Sequence, residues 1–217
     1  MPQRWDCPRL WPNSTVYVLG GGPSLTDVDL TPLHSKRVLA VNNSYGDPSG
    51  RQQDGHDIYD PRPWVDALYF GDCRWYDWHR KALLDFGGLK VTSCQRGFRW
   101  PGIKWVSRAN KAMGLTPRPY EVVWNRSSGA SAVNLAVHLG ATKIILLGFD
   151  MQPDDKGRAN WHDDHPVKVR NRDVYPRFRE PFIHIKNDAH KMGVEILNAT
   201  EGSALTDFPM VKLEETL

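Results

Sequence analysis

Five short apolar runs in this chain each end in a polar or glycine-rich step, and that repeated pattern restricts the folds open to it. Thr15–Leu19 ends in Gly20-Gly21-Gly22, Arg37–Val41 in Asn42-Asn43-Ser44 and Ala67–Phe70 in Gly71-Asp72. Lys143–Leu147 ends in Gly148-Phe149-Asp150, and Val194–Leu197 in Asn198-Ala199-Thr200. The runs are mostly apolar rather than alternating, with Arg37, Lys143 and Glu195 as their charged members, as strands of a parallel sheet buried on both faces are. Leu89–Thr92 and Lys104–Val106 add two shorter strand segments. Helical segments lie between them. Ser24 or Thr26 can cap a short helix through Leu33, and Trp75, Trp78, Ala82 and Phe86 recur at helical spacing over 74–86. Ser127–Leu139 opens on serines and stops at Gly140. Glu180-Pro181 starts a helix that carries Phe182, Ile185, Ala189 and Met192 on one face and ends at Gly193. The order predicts an α/β, Rossmann-like fold, a mostly parallel sheet with helices on both faces.

Residues 46–63, rich in Gly, Asp, Pro and Gln, read as a mobile loop, and 107–125 as irregular. Residues 152–178 are polar and rich in His and Arg, and read as a lid inserted into one domain that spans 1–217. No apolar run approaches the ~20 residues that span a bilayer, and the first residues lack the apolar core of a signal peptide. The expectation is a cytoplasmic protein without a membrane partner. Cys7, Cys73 and Cys94 are odd in number and widely spaced. They read as buried thiols, against a disulfide framework or a zinc ribbon.

In an open parallel sheet, ligands bind beyond the carboxyl ends of the strands. The polar run ends should therefore face one crevice. Gly20, Gly21, Gly22, Pro23 and Ser24 form a glycine loop whose backbone can approach a phosphate, with the N–H groups of a following helix. It is neither G-x-G-x-x-G nor a P-loop, and glycines there also serve a plain tight turn. Asn42, Asn43, Asp72 and Asp150 join it as nucleotide-binding candidates. Ser127, Ser128 and Gly129 are both an N-cap and an anion cradle. In Asn160-Trp161-His162-Asp163-Asp164-His165, two histidines among carboxylates fit a general base better than a metal site. The candidate catalytic set is His165, His162 and Asp150, with no metal. Between Arg96 and Arg126 stand seven Lys/Arg against one acid, Glu121. With Trp100 among them, Arg96, Arg99, Arg108 and Arg126 read as an acceptor groove able to hold nucleic acid.

The motif order, G-x-G-P-S-L after a strand (Gly20–Leu25), a strand ending in Asn42, Ser127-Ser128-Gly129 opening a helix, and Leu147-Gly148-Phe149-Asp150, resembles the bacterial sialyltransferases that use CMP-sialic acid. It is also similar to the family of the archaeal 6-hydroxymethylpterin diphosphokinases, and phage-encoded proteins of this size look alike. Asn198–Ser203 resembles the family's last strand and loop. The resemblance implies a nucleotide between the first loop, Asn42 and the Ser127 helix, and a metal-independent glycosyl transfer in which a lid histidine, His165 or His162, acts as base. It implies a CMP- or UDP-type sugar donor as substrate and a hydroxyl acceptor, with a modified base in phage DNA and a homo-oligomer among the arrangements considered. The family's tyrosine after G-x-D is absent, since Met151-Gln152 stands there. Leaving-group stabilisation then falls to Tyr175, Arg170 or Arg172, and sialic acid does not carry over as substrate. The diphosphokinase alternative needs Mg²⁺, with Asp72, Asp150 and the His162–His165 cluster as ligands. The second alternative is a non-catalytic nucleotide or nucleic-acid binder.

Overall fold

A computed structural model describes residues 4–163 and 174–217. His165, Arg170 and Arg172, with residues 164–173 of the expected lid, lie outside the described residues. Eleven strands are formed among the described residues: β1 (Ser14–Leu19), β2 (Arg37–Val41), β3 (Gly46–Gln53), β4 (His56–Pro61), β5 (Ala67–Phe70), β6 (Leu89–Thr92), β7 (Lys104–Trp105), β8 (Ser107–Arg108), β9 (Glu121–Val122), β10 (Ala141–Leu147) and β11 (Glu195–Asn198). Three α-helices accompany them: α1 (Cys73–His79), α2 (Ser128–Leu139) and α3 (Val174–Lys191). Seven strands make one sheet in the order β11-β10-β1-β2-β5-β6-β7. Every pairing in it is parallel. The fold is α/β and Rossmann-like.

The strand centres are apolar because both faces of the sheet are covered, and the charged members Arg37, Lys90, Lys143 and Glu195 fall at or near strand ends. Val16, Val18, Leu39, Val41, Tyr69, Ile144 and Leu146 pack on one side against Val133, Leu135 and Ala136 of α2 and Phe182 and Ile185 of α3. Tyr17, Leu19, Val38, Ala40, Leu68, Phe70 and Ile145 face the other way, onto Leu25, Leu33, Tyr45, Tyr59 and Trp75. That second face departs from the expected helical layer. Its cover is the seven-residue α1, single 3₁₀ turns and the β3–β4 hairpin.

Five local expectations are corrected. The segment after Ser24 forms two 3₁₀ turns, Pro23–Thr26 and Thr31–Ser35, in place of an α-helix. The amide and hydroxyl of Ser24 are bound by Asp150 instead of capping a helix. Residues 46–61 are an antiparallel hairpin and not a loop. Its turn is Asp54-Gly55, both left-handed at φ 53° and 78°, the two-residue step that matches strand twist. The helix expected over 74–86 ends at His79, and a 3₁₀ turn at Ala82–Leu84 carries on the apolar spacing. Helix α3 starts at Val174, so Pro181 lies inside it rather than at its first position. The stretch 107–125 is also less irregular than its composition indicates, since β8 and β9 pair within it.

Cys73 and Cys94 correct the thiol expectation: they are joined as a disulfide with Cα atoms 5.3 Å apart. Parallel pairing of β5 with β6 brings the residues following both strands side by side, which their separation of 21 positions in sequence conceals. Cys7 is a buried thiol, as expected, and burial pushes its pKa up to about 12. Among the described residues no helix is long and apolar enough to cross a membrane.

Candidate functional site

From β1 the chain proceeds outward through β2, β5, β6 and β7, then returns to place β10 and β11 on the other side of β1. Strands β1 and β10 thus flank the point where the strand order reverses, and connections leaving in opposite directions open a crevice there. A cavity of about 490 Å³ occupies it. Its walls are Gly20–Gly22 after β1, Asn42 and Asn43 after β2, Asp72 after β5, Ser127–Gly129 at the start of α2, Gly148–Asp150 after β10, and Asn160 and His162 of the following segment. The expected nucleotide residues therefore converge, apart from Pro23 and Ser24, which do not line the cavity.

The glycine loop has a different physical basis from the one its sequence indicated. Gly20 donates its amide to Leu147 O at 2.7 Å, Gly22 to Gly148 O at 2.9 Å, and Ser24 to Asp150 Oδ1 at 2.9 Å. These three donors tie the loop to the end of β10. A Cβ at Gly20 would sit 2.4 Å from Gly148 O, and one at Gly22 would sit 1.7 Å from Asp150 Oδ2. Both glycines are there so that two strand ends can touch. Gly21 alone of the three is open: a Cβ there would have Asn160 Oδ1, at 3.7 Å, as its nearest neighbour. Its carbonyl accepts from the Trp161 amide at 3.2 Å, so the beginning of the lid segment is stitched to the loop. Ser44 adds to that seam by donating to Gly20 O and accepting from Trp161 Nε1.

Amide donors without an intrahelical acceptor stand at the start of α2. Ser127 caps the helix through Ala130 N, and the first-turn amides of Ser128 and Gly129 have no intrahelical acceptor. Asn125 and Arg126 precede the cap in left-handed backbone, φ 51° and 57°, which costs energy for non-glycine residues. Asn125 holds that turn through Gly114 N at 2.8 Å and Gly114 O at 2.9 Å. Arg126 lines the cavity and pairs with Glu180 of α3.

Carboxylates and histidines give the cavity its acid–base character. Asp150 is 8% exposed, and burial raises its pKa although two hydrogen bonds from Ser24 pull the other way. Tyr175 lines the same wall and is raised too, by burial first and then by the charge of Asp150. Asp72 caps α1 through Arg74 N at 2.9 Å. Asn42 stands in left-handed backbone at φ 52°, and its buried Oδ1 has no hydrogen-bond partner among the described residues. Asn43, 3% exposed, is committed internally: its Oδ1 accepts from Trp75 Nε1 and its Nδ2 donates to Tyr59 Oη. His79 of α1 is held neutral by burial, with its pKa lowered to about 3.

Sequence reasoning did not bring Trp75, Trp78 and Phe178 to the cavity, and read Trp124 as one aromatic of the basic segment 96–126. Trp75, Trp78, Trp124 and Phe178 all reach the cavity. Trp124 is clamped: the Arg108 guanidinium lies 3.8 Å over its ring and donates to Gly71 O at 2.7 Å. A Cβ at Gly71 would lie 2.2 Å from the Trp124 ring, so this glycine admits the indole. The position of Trp124 just before the Ser127 cap was the available signal.

The residues read as an acceptor groove lie mostly outside this cavity, with Arg96 over the Trp100 ring at 5.7 Å. Of the five residues only Arg126 lines the cavity. Arg96 pairs with Asp77 at 2.6 Å, Trp100 stacks on Tyr76 at 3.6 Å, and Arg99 lies over Phe98. Asp188 takes Lys111 and Glu180 takes Arg126, so distant carboxylates offset much of the charge that looked unbalanced along the chain. Asn198–Ser203 is structural: Thr200 Oγ1 accepts from Phe149 N and Ser203 Oγ donates to Phe149 O, which fixes the β10 end. Comparison of the chain with protein-family models, curated proteins and solved structures returns no match.

Proposed function

We propose that the chain is a nucleotide-dependent transferase, a glycosyltransferase that moves a sugar from a CMP- or UDP-type donor to a hydroxyl acceptor with inversion. The observation that carries this reading is the crevice at the reversal of strand order, where six segments distant in sequence bring helix amides, two serine hydroxyls, a clamped indole and acid–base groups onto one cavity. The phosphates lie at the first turn of α2, against the amides of Ser128 and Gly129 and the charge of Arg126, where preorganised donors stabilise a departing anion. The base stacks on Trp124, and Asn42 Oδ1 accepts from a ring N–H, an exocyclic amine or a ribose hydroxyl. Gly21, with open space above it, lets the donor approach the loop. Asp150 takes part as the buried carboxyl bound to Ser24 of the loop, its pKa raised by burial.

The diphosphokinase alternative is less well supported. Both oxygens of Asp150 already accept from Ser24, and Asp72 is engaged in capping α1.

A thermal-shift screen against CMP, UDP, GDP, ADP and their sugars, with and without Mg²⁺, tests the reading. A ligand well above its Kd adds ~2–4 kcal/mol of stability. The expected result is a shift with a pyrimidine nucleotide that survives EDTA, is lost in Trp124→Ala and is kept in Arg99→Ala. A shift that requires Mg²⁺ selects the diphosphokinase, and no shift with any nucleotide overturns both.

A further inference from the structure

We propose that Asn43, anchored by Trp75, is a positioning residue that fixes His162 with Nδ1 as acceptor and the proton on Nε2, so that His162 serves as a hydrogen-bond donor to the leaving group and not as the base. The assignment of the leaving group rests on the transferase reading; the tautomer does not.

The tautomer follows from donors that have no alternative. An indole N–H can only donate. Trp75 Nε1 lies 2.6 Å from one amide atom of Asn43, so that atom is the oxygen and the other is the NH₂ group. The NH₂ donates to Tyr59 Oη at 2.7 Å and lies 3.5 Å from His162 Nδ1. An amide NH₂ has two hydrogens and cannot accept. The nitrogen of His162 that faces it must therefore be the unprotonated one, and a neutral imidazole then carries its proton on Nε2. Trp75, Asn43 and Tyr59 are 7%, 3% and 1% exposed, so the relay is set in the core and does not rearrange with solvent. Tyr59 also meets the His162 ring edge-on at 6.3 Å, and Trp161 meets it at 5.2 Å.

In the transfer, the bond between the sugar's anomeric carbon and the phosphate oxygen breaks and its electron pair stays on that oxygen. The acceptor oxygen forms the new bond to carbon and gives its proton to a separate base. His162 Nε2–H hydrogen-bonds the phosphate oxygen as it takes up the pair. Among the described residues, the charged and titratable groups near His162 include His79 of α1, Tyr59 of β4, Arg62 beside Trp161, Asp163 next in the chain, and Asp72, Arg74, Asp150 and Tyr175 of the shared cavity.

Histidine-selective ¹⁵N labelling of the full chain reads the tautomer directly. The expected spectrum at neutral pH shows His162 with Nε2 protonated and Nδ1 not. Asn43→Asp replaces a donor with an anionic acceptor, so it should move the proton to Nδ1 and raise the His162 pKa by about 1 unit or more. Trp75→Phe releases the amide to turn and should give mixed tautomers. A wild-type spectrum with Nδ1 protonated overturns the proposal, and so does an unchanged tautomer in folded Asn43→Asp. If that variant does not fold, the wild-type spectrum decides. In a transfer assay, His162→Gln keeps a donor but no base. Activity within about a hundredfold of wild type supports the donor role, and a greater loss, on the scale of a removed general base, overturns it. The spectra stand whether or not a nucleotide binds, so failure of the transferase reading is separately visible.

Discussion

Alanine at Gly22 and alanine at Gly21 should have opposite consequences, although the two positions are adjacent and look equivalent in the sequence. A methyl at Gly22 would lie 1.7 Å from Asp150 Oδ2, 2.5 Å from Asp150 Cγ and 2.8 Å from Gly148 O. The carboxylate must move, and with it go the bonds from Ser24 N and Ser24 Oγ, each 2.9 Å long. Overpacking costs ~1–3 kcal/mol, and hydrogen bonds to a charged group contribute ~1.5–3 kcal/mol each. Partial relaxation keeps the sum near ~3 kcal/mol, or ~6–12 °C in Tm for a chain of this size. Gly21 has neither a positive φ nor a close neighbour, so Gly21→Ala should hold or gain up to ~1 kcal/mol by restricting the unfolded chain. Urea titration of the two variants beside wild type, with the m-value checked for constancy, measures both. A Gly22→Ala protein as stable as Gly21→Ala would refute the claim that Gly22 serves the contact between two strand ends. Nucleotide binding should respond the other way, weakened by Gly21→Ala where the loop faces the cavity.

Burial and covalent geometry set two further outcomes. The Cys73–Cys94 bond closes a loop of about 20 residues, for which chain entropy gives ~3 kcal/mol, so dithiothreitol should lower Tm by several degrees in wild type and leave Cys73→Ser unmoved. Equal melting with and without reductant would show that the bond does not form. His79 takes up no proton in the folded state until about pH 3, whereas the unfolded chain takes one up near 6.5. The unfolded state thus binds more protons as pH falls, and stability should drop by ~2 kcal/mol between pH 7 and 5 from this residue. Urea midpoints at the two pH values should converge in His79→Phe, and an identical slope in the variant would remove His79 as the cause.

The sheet was legible in the sequence because it is determined by local composition. Short apolar runs such as 144–147, bounded by glycine and polar residues, read as strands covered on both faces, and their polar ends mark the rim where a crevice opens. The same pattern placed Asn42, Asp72, Ser127 and Asp150 on one site before any contact was known. The Asp54-Gly55 turn was equally readable, and polar composition around it obscured the signal. What the sequence did not determine depends on neighbours far along the chain. Gly20 and Gly22 are glycines because β10 arrives beside them, a fact carried by residues more than a hundred positions away. The charge of segment 96–126 looked unbalanced because Asp77, Glu180 and Asp188 reach it only in three dimensions. Asn43 read as a ligand contact, yet its amide is committed between Trp75 and Tyr59, on separate elements. The main strands of the sheet follow from local composition. Which hydrogen bonds and ion pairs remain for a ligand is decided by subtraction, after the fold has used its own.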